Sequence, residues 1–151
     1  MKRILIATDG SQAADDAVSF GLDLAVRHGA AAVVVHVVPT VDFVPVLGGF
    51  GLVGAQAHEP YPGDVRMLEE AGAEAAARGV PVEAKLLTGD TVDEIVAYAD
   101  SCDVDLIVVG SRGHGTIAGV LLGSVSRGIL GETKRPALIV RGAAVPAAAA
   151  A

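Results

Sequence analysis

Cysteine occurs once, as Cys102, so an internal disulfide and a cysteine-built metal cluster are both excluded. That scarcity fits a reducing compartment, and the cytoplasm is the simplest choice. Tryptophan is absent and aromatics make up only 3% of residues, so the core must be assembled from Val, Leu, Ile and Ala. Such side chains suit helices packed closely on a parallel sheet. Basic residues are outnumbered, 11 Lys and Arg against 18 Asp and Glu, which leaves a net charge of −7. Phosphate-rich surfaces would be repelled at long range, so neither general nucleic-acid binding nor an anionic membrane is expected as a partner. The opening MKRILIATDG offers four apolar residues before Thr8 and Asp9, too few for the hydrophobic region of a signal peptide. No export is expected. The 151 residues, 52% of them hydrophobic, make about one domain, long enough to bury a core without staples.

Five apolar runs, at 4–7, 33–38, 82–87, 106–109 and 137–140, are short and rich in branched aliphatic residues, as buried strands are. Between the first two, Ala14, Ala17, Val18, Gly21, Leu24 and Ala25 recur at helical spacing, and Gly29 behind Arg27 and His28 reads as a C-terminal stop. A second helix is predicted over 64–78, ended by Gly79. A third opens on a capping box at 91–94, and a fourth runs from near Gly123 to before Pro136. Strands alternating with helices imply right-handed crossovers and a parallel sheet covered on both faces, an α/β sandwich of three layers. The ligand crevice of such a sheet lies beyond the carboxyl ends of its strands, where strand order reverses. Asp9, Gly10 and Ser11 would meet Gly110 there if the order is 3-2-1-4-5.

The chemistry-bearing segment is GSRGHGTIAGVLLGSVS, residues 110–126, in which Gly110, Gly113 and Gly123 form the pattern G-x-x-G-x9-G-S. A strand, a glycine loop and a helix start are the parts of an anion site. Glycines permit positive φ and close backbone approach, and free N–H groups at a helix start carry partial positive charge. Ser124 and Ser126 could add hydroxyl donors, and Arg112 either pairs with a phosphate or points into solvent. Asp9 either holds the turn into the first helix or meets a ligand hydroxyl, and both can hold at once. His36, inside an apolar run, reads as a satisfied core histidine rather than a metal ligand, since no His, Cys or carboxylate sits near it at ligand spacing. His114 flanks Gly113 in the loop. Glu69, Glu70 and Glu74 read as a solvated face, and Cys102 has no cationic neighbour to activate it.

Two segments break the rhythm. Residues 40–63 are longer than an ordinary connection and unusually apolar, which suggests a lid or a self-association patch. Asp42, Pro45 and the glycines keep this stretch from being a membrane span. Residues 142–151 are mostly alanine, with Gly142, Val145 and Pro146 and nothing that would dock them, and are expected to be a disordered tail behind a domain at 1–141.

The opening KRILIATDGS, the His36–Val37–Val38 triplet, the glycine block with its Val125–Ser126 continuation and the closing RPALIV at 135–140 together resemble the universal stress protein family, in its nucleotide-binding branch. The likeness covers nearly the whole chain. It implies a Rossmann-like sandwich of the adenine nucleotide alpha hydrolase type, with a five-stranded parallel sheet in the order 3-2-1-4-5. It also implies ATP or AMP at the strand ends, with Mg2+ allowed for beside ATP, and a homodimer made through the last strand. On this resemblance Ala7, Thr8 and Asp9 line the adenosine pocket with Asp9 near the ribose, and Val37 offers backbone groups to adenine. Gly110 and Gly113 let the chain wrap the ribose and first phosphate, and Gly123, Ser124, Val125 and Ser126 hold the phosphates. Ala7 departs from the proline of some nucleotide-binding relatives, and the 40–63 insert is a second departure.

Three functions are consistent with these residues. One is a regulatory stress-response protein governed by bound nucleotide. Another is a slow ATP hydrolase or adenylyl-transferring enzyme of the same architecture, although the sequence holds neither G-x-x-x-x-G-K-[ST] nor an S-G-G-x-D-S loop. The last is a nucleotide-free interaction module, which would leave the glycine block without a task.

Overall fold

The computed structural model describes residues 1–40, 60–113 and 122–141, together with the backbone of 44–46 and 49–51. In chain order the elements are β1 (Arg3–Ala7), α1 (Gln12–His28), β2 (Ala31–Pro39), β3 (Val44–Val46), β4 (Gly49–Gly51) and α2 (Pro62–Ala77). They continue with β5 (Val82–Gly89), α3 (Thr91–Ser101), β6 (Leu106–Gly110), α4 (Ser124–Glu132) and β7 (Ala137–Val140). The main sheet is parallel throughout, in the order β5-β2-β1-β6-β7, which is the expected 3-2-1-4-5 once its five strands are counted along the chain.

Alternate residues of each strand enter different cores, as the two-residue period of a strand dictates. Ile4, Ile6, Val34 and Val108 pack with Ala17, Leu22, Leu68 and Ala75 from α1 and α2. Leu5, Val33, Val35 and Ile107 pack with Ile95, Ala99 and Ile129 from α3 and α4. The result is three layers with the sheet in the middle. β1, β2 and β6, buried on both sides, read as nearly continuous apolar runs, whereas β5 at the sheet edge carries Glu83 and Lys85 within the segment expected to be apolar. Complete burial of each large aliphatic side chain contributes about 2 kcal/mol.

Helix ends follow local chemistry. Ser11 caps α1 through its side chain, which accepts from the Ala14 N–H, and Gly29 closes it at φ 60°, donating to the Ala25 and Val26 carbonyls. α2 ends at Arg78, followed by Gly79 at φ 71°. The start of α3 corrects the expected capping box. Asp90 is the cap, its carboxylate accepting from the N–H groups of Val92 and Asp93, and Thr91 is already helical.

The apolar insert carries an unpredicted feature, since β3 and β4 pair antiparallel as a small separate ladder. Residues 41–43, 47–48 and 52–59 of the segment expected to be a lid or a self-association patch, and the tail at 142–151, lie outside the described residues. Among the described residues no helix is long and apolar enough to cross a membrane.

Candidate functional site

β1 ends at Ala7, opposite Val35, whereas β2 runs on to Pro39. The Thr8 N–H still bonds the Val35 carbonyl at 2.9 Å, so the peptide groups of Val35 face β1. Two residues on, those of Val37 face the same way, beyond the end of β1. The chain leaving β1 enters α1 on one face of the sheet, and the chain leaving β6 reaches α4 on the other. Adjacent parallel strands whose followers diverge in this way open a crevice at their carboxyl ends.

Short hydrogen bonds shape the β1 side. The Gly10 N–H donates to Thr8 Oγ1 at 3.2 Å, and the Ser11 N–H donates to Asp9 Oδ1 at 3.0 Å. Asp9 therefore holds the turn, one of its two expected roles, while Ser11 rather than Asp9 caps the helix. Gly10 adopts φ 74° beside the Met67 sulfur, which also accepts from the Thr8 hydroxyl at 3.5 Å.

The β6 side is stapled to α4. The Gly123 N–H donates to the Ser111 carbonyl at 2.8 Å, and the Ser126 hydroxyl donates to the Gly110 carbonyl at 2.7 Å. The Ser126 hydroxyl proton is thus engaged within the fold, and its backbone N–H is what it can offer a ligand. Gly123 is the N-cap of α4 and has no side chain to bond the first turn, so the N–H groups of Ser124, Val125 and Ser126 lack the intrahelical partners that later residues have. Gly110, Gly113 and Gly123 do not occupy positive φ, contrary to the expectation for the block. At Gly110 and Gly113 the lack of a Cβ matters sterically instead. Gly110 lies where a Cβ would stand 2.6 Å from the Ala13 carbonyl oxygen, and Gly113 packs directly on the Asp9 carboxylate.

Between the two sides lies a cleft of about 590 Å3. The residues assigned to a nucleotide site from the sequence border it: Ala7, Thr8 and Asp9 from the end of β1, Val37 from β2, Gly110, Arg112 and Gly113 from the β6 exit, and Gly123, Ser124, Val125 and Ser126 from the start of α4, whereas Gly10 borders the neighbouring hollow instead. His114, with the rest of 114–121, lies outside the described residues.

Sequence reasoning missed part of the wall. Tyr61 and Asp64 from the start of α2 and Thr91 and Ile95 from α3 border the cleft, as does His36. Both helices follow strands of the sheet and so begin at its carboxyl edge, a signal that could have placed their first turns there. His36 is satisfied as expected but borders the cleft rather than the core. Its Nδ1 lies 2.9 Å from the Thr8 carbonyl oxygen and its Nε2 lies 3.2 Å from Asp64 Oδ1. Asp64 is a carboxylate partner that sequence spacing did not reveal. Both partners are oxygen atoms that can accept from the ring.

A second hollow, of about 570 Å3, lies between α1 and α2 and is bordered by Asp9, Asp15, Asp64, Glu70 and Glu74, with Arg66. Burial, and then the charges of Asp16, Asp9, Glu70 and Glu74, push the Asp15 carboxyl above its usual range. An anion is disfavoured on that side. The donors at the start of α4 favour one on the other, so the cleft is polarised across its width.

The profile of the universal stress protein family matches residues 1–141. A universal stress protein of Thermus aquaticus is 38% identical, over 93% of this chain and 98% of its own length. Among solved structures, a universal stress protein in complex with cAMP is 29% identical, with a TM-score of 0.69 over 94% of this chain and 98% of that one. A universal stress protein family member from Arabidopsis thaliana with AMP bound shares the fold at 21% identity, with a TM-score of 0.64 over 95% and 93%. The chain belongs to the universal stress protein family.

Proposed function

We propose that the cleft binds an adenine nucleotide, ATP or AMP, and that the bound nucleotide regulates the protein in a stress response. The observation that carries this reading is the cleft's pairing of two unlike ends. At one end are the first-turn N–H groups of α4, suited to phosphate, and at the other the backbone edge of Val37, a donor and an acceptor side by side as the Watson–Crick edge of adenine requires. Its volume of about 590 Å3 lies within the usual range for small-molecule sites. A 29% identical relative solved with cAMP supports an adenine nucleotide over other anions.

In this reading Ala7, Thr8 and Asp9 line the adenosine pocket, with Asp9 accepting from the ribose. Gly110 and Gly113 pass beside the ribose and first phosphate, and Gly123, Ser124, Val125 and Ser126 hold the phosphates with Arg112 nearby. The described residues offer no group of three or more His, Cys, Asp or Glu suited to a metal, so Mg2+ would enter with ATP, bound by phosphate oxygens and water. The protein works as a homodimer joined through β7, and its lone cysteine supports the cytoplasm as its place.

The test is calorimetric titration of the purified protein with AMP and ATP, beside mass spectrometry of nucleotide released on denaturation. Saturable binding of either nucleotide is the expected result. Failure of both to bind or to be released would overturn the reading.

A further inference from the structure

We propose that Tyr61 is the base-stacking residue of this cleft, an aromatic wall against which the flat ring of the nucleotide lies. The inference rests on the nucleotide reading above and adds the residue that would select for a base. Tyr61 is one of only two tyrosines in a chain without tryptophan. The other, Tyr98, packs against the core formed with α3 and α4, whereas Tyr61 is 65% exposed at the rim of the cleft.

Its backbone is held firmly for so exposed a residue. The Tyr61 N–H donates to Asp64 Oδ2 at 2.9 Å, and the Asp64 N–H donates back to the Tyr61 carbonyl at 2.9 Å. Asp64 Oδ1 meets His36 Nε2 at 3.2 Å, and His36 Nδ1 meets the Thr8 carbonyl at 2.9 Å. These links fasten Tyr61 to the strand residue next to Val37 and to the end of β1. Asp64 and His36 are thereby positioning residues for the ring. The cleft is also bordered by the aliphatic side chains of Val37 and Ile95, both nearly fully buried. A cleft bordered by an aromatic ring and by branched aliphatics suits a flat heteroaromatic group. A tyrosine has few torsions to freeze when it closes on such a group.

The experiment is titration of the full chain with AMP, followed by calorimetry and by proton NMR of the two tyrosine rings, with Tyr61→Phe assigning the Tyr61 signals. Stacking should move the Tyr61 ring protons upfield on AMP addition. Tyr61→Ala and Tyr61→Leu should weaken AMP binding about tenfold, while Tyr61→Phe binds within about twofold of the wild type. The leucine variant separates loss of the aromatic face from loss of bulk, and the wild-type NMR shift stands even if a variant folds poorly. If AMP binds but the Tyr61 signals stay in place, or binding survives both Tyr61→Ala and Tyr61→Leu, the stacking role is overturned and the nucleotide reading stands. If neither AMP nor, in the same titration, ATP binds the wild type, both fall.

Discussion

Gly110, Gly113 and Gly123 look equivalent in the sequence but answer to different neighbours. A Cβ at Gly110 would press on backbone of α1, 2.6 Å from the Ala13 oxygen and 3.0 Å from the Ala14 nitrogen, and backbone cannot swing aside. Gly110→Ala should therefore destabilise the fold by about 1–3 kcal/mol, measured by urea unfolding. At Gly123 the nearest atom to a built Cβ is Arg112 Cα at 3.5 Å, an ordinary contact, so that glycine is not required by packing. Its φ of −67° and ψ of 166° are those of a capping residue. Gly123→Asp should then place a carboxylate on the N–H groups of Val125 or Ser126 and raise ligand-free stability by a few tenths of a kcal/mol. The same carboxylate would occupy the proposed phosphate site and repel its ligand. Nucleotide affinity should fall more than tenfold by calorimetry while the melting temperature holds or rises. Unchanged affinity would mean that the start of α4 does not hold the phosphates. The glycine block was legible as a loop between strand and helix because glycine spacing is local. Which glycine serves packing and which serves the cleft was not, because the answer lies in α1, distant along the chain.

Elements joined by the sheet also carry side-chain ties that strand patterns do not show. Asp105, just before β6, accepts from the backbone N–H groups of Lys2 and Arg3, the latter at 2.9 Å, and so fastens the entry of β1 to that of β6. These two hydrogen bonds hold its carboxyl below the usual carboxylate range. A lowered value in the folded state means that the unfolded chain binds the proton more readily. The stabilisation is present above the ordinary value of 3.8 and is lost as pH falls through the folded one. Asp105→Ala should accordingly lower the melting temperature at neutral pH, and its difference from wild type should narrow below pH 3.8. A difference that stays constant with pH would show that the charge plays no part. The inner strands of the main sheet and two helix ends were legible because two-sided burial leaves nearly continuous apolar runs and because Gly29 and Gly79 mark helix stops. The β3–β4 ladder was missed because Val and Gly mixed over 44–51 carry no strict alternation. The contact between His36 and Asp64 was missed because it bridges a crossover and leaves no periodic trace.

At the scale of the whole molecule, the main sheet presents edges of different chemistry at β5 and β7. β5, at one edge, carries Glu83 and Lys85, paired at 2.9 Å, and charge on an edge strand discourages pairing with another chain. β7, at the other, reads Ala-Leu-Ile-Val with no charge at all. Its entry is already fixed, since Arg135 bonds Asp100 Oδ1 at 2.9 Å and the Val104 carbonyl at 2.8 Å. An ordered edge loses less freedom on pairing than a loose one. The carbonyls of Pro136 and Val140 point inward, accepting from Ile107 and Ser111 of the β6 side, so the peptide groups of Ala137 and Ile139 point outward. Two copies related by a two-fold axis can join these outward groups antiparallel, each contact occurring twice. The protein should therefore be a dimer at micromolar concentration by light scattering. Ala137→Pro removes one outward N–H without touching the ladder to β6, in a strand position where proline is tolerated. Two symmetry-related bonds of about 1 kcal/mol each would be lost, weakening the dimer about 30-fold. A wild type that is monomeric, or a dimer indifferent to Ala137→Pro, would show that β7 is not the joining edge.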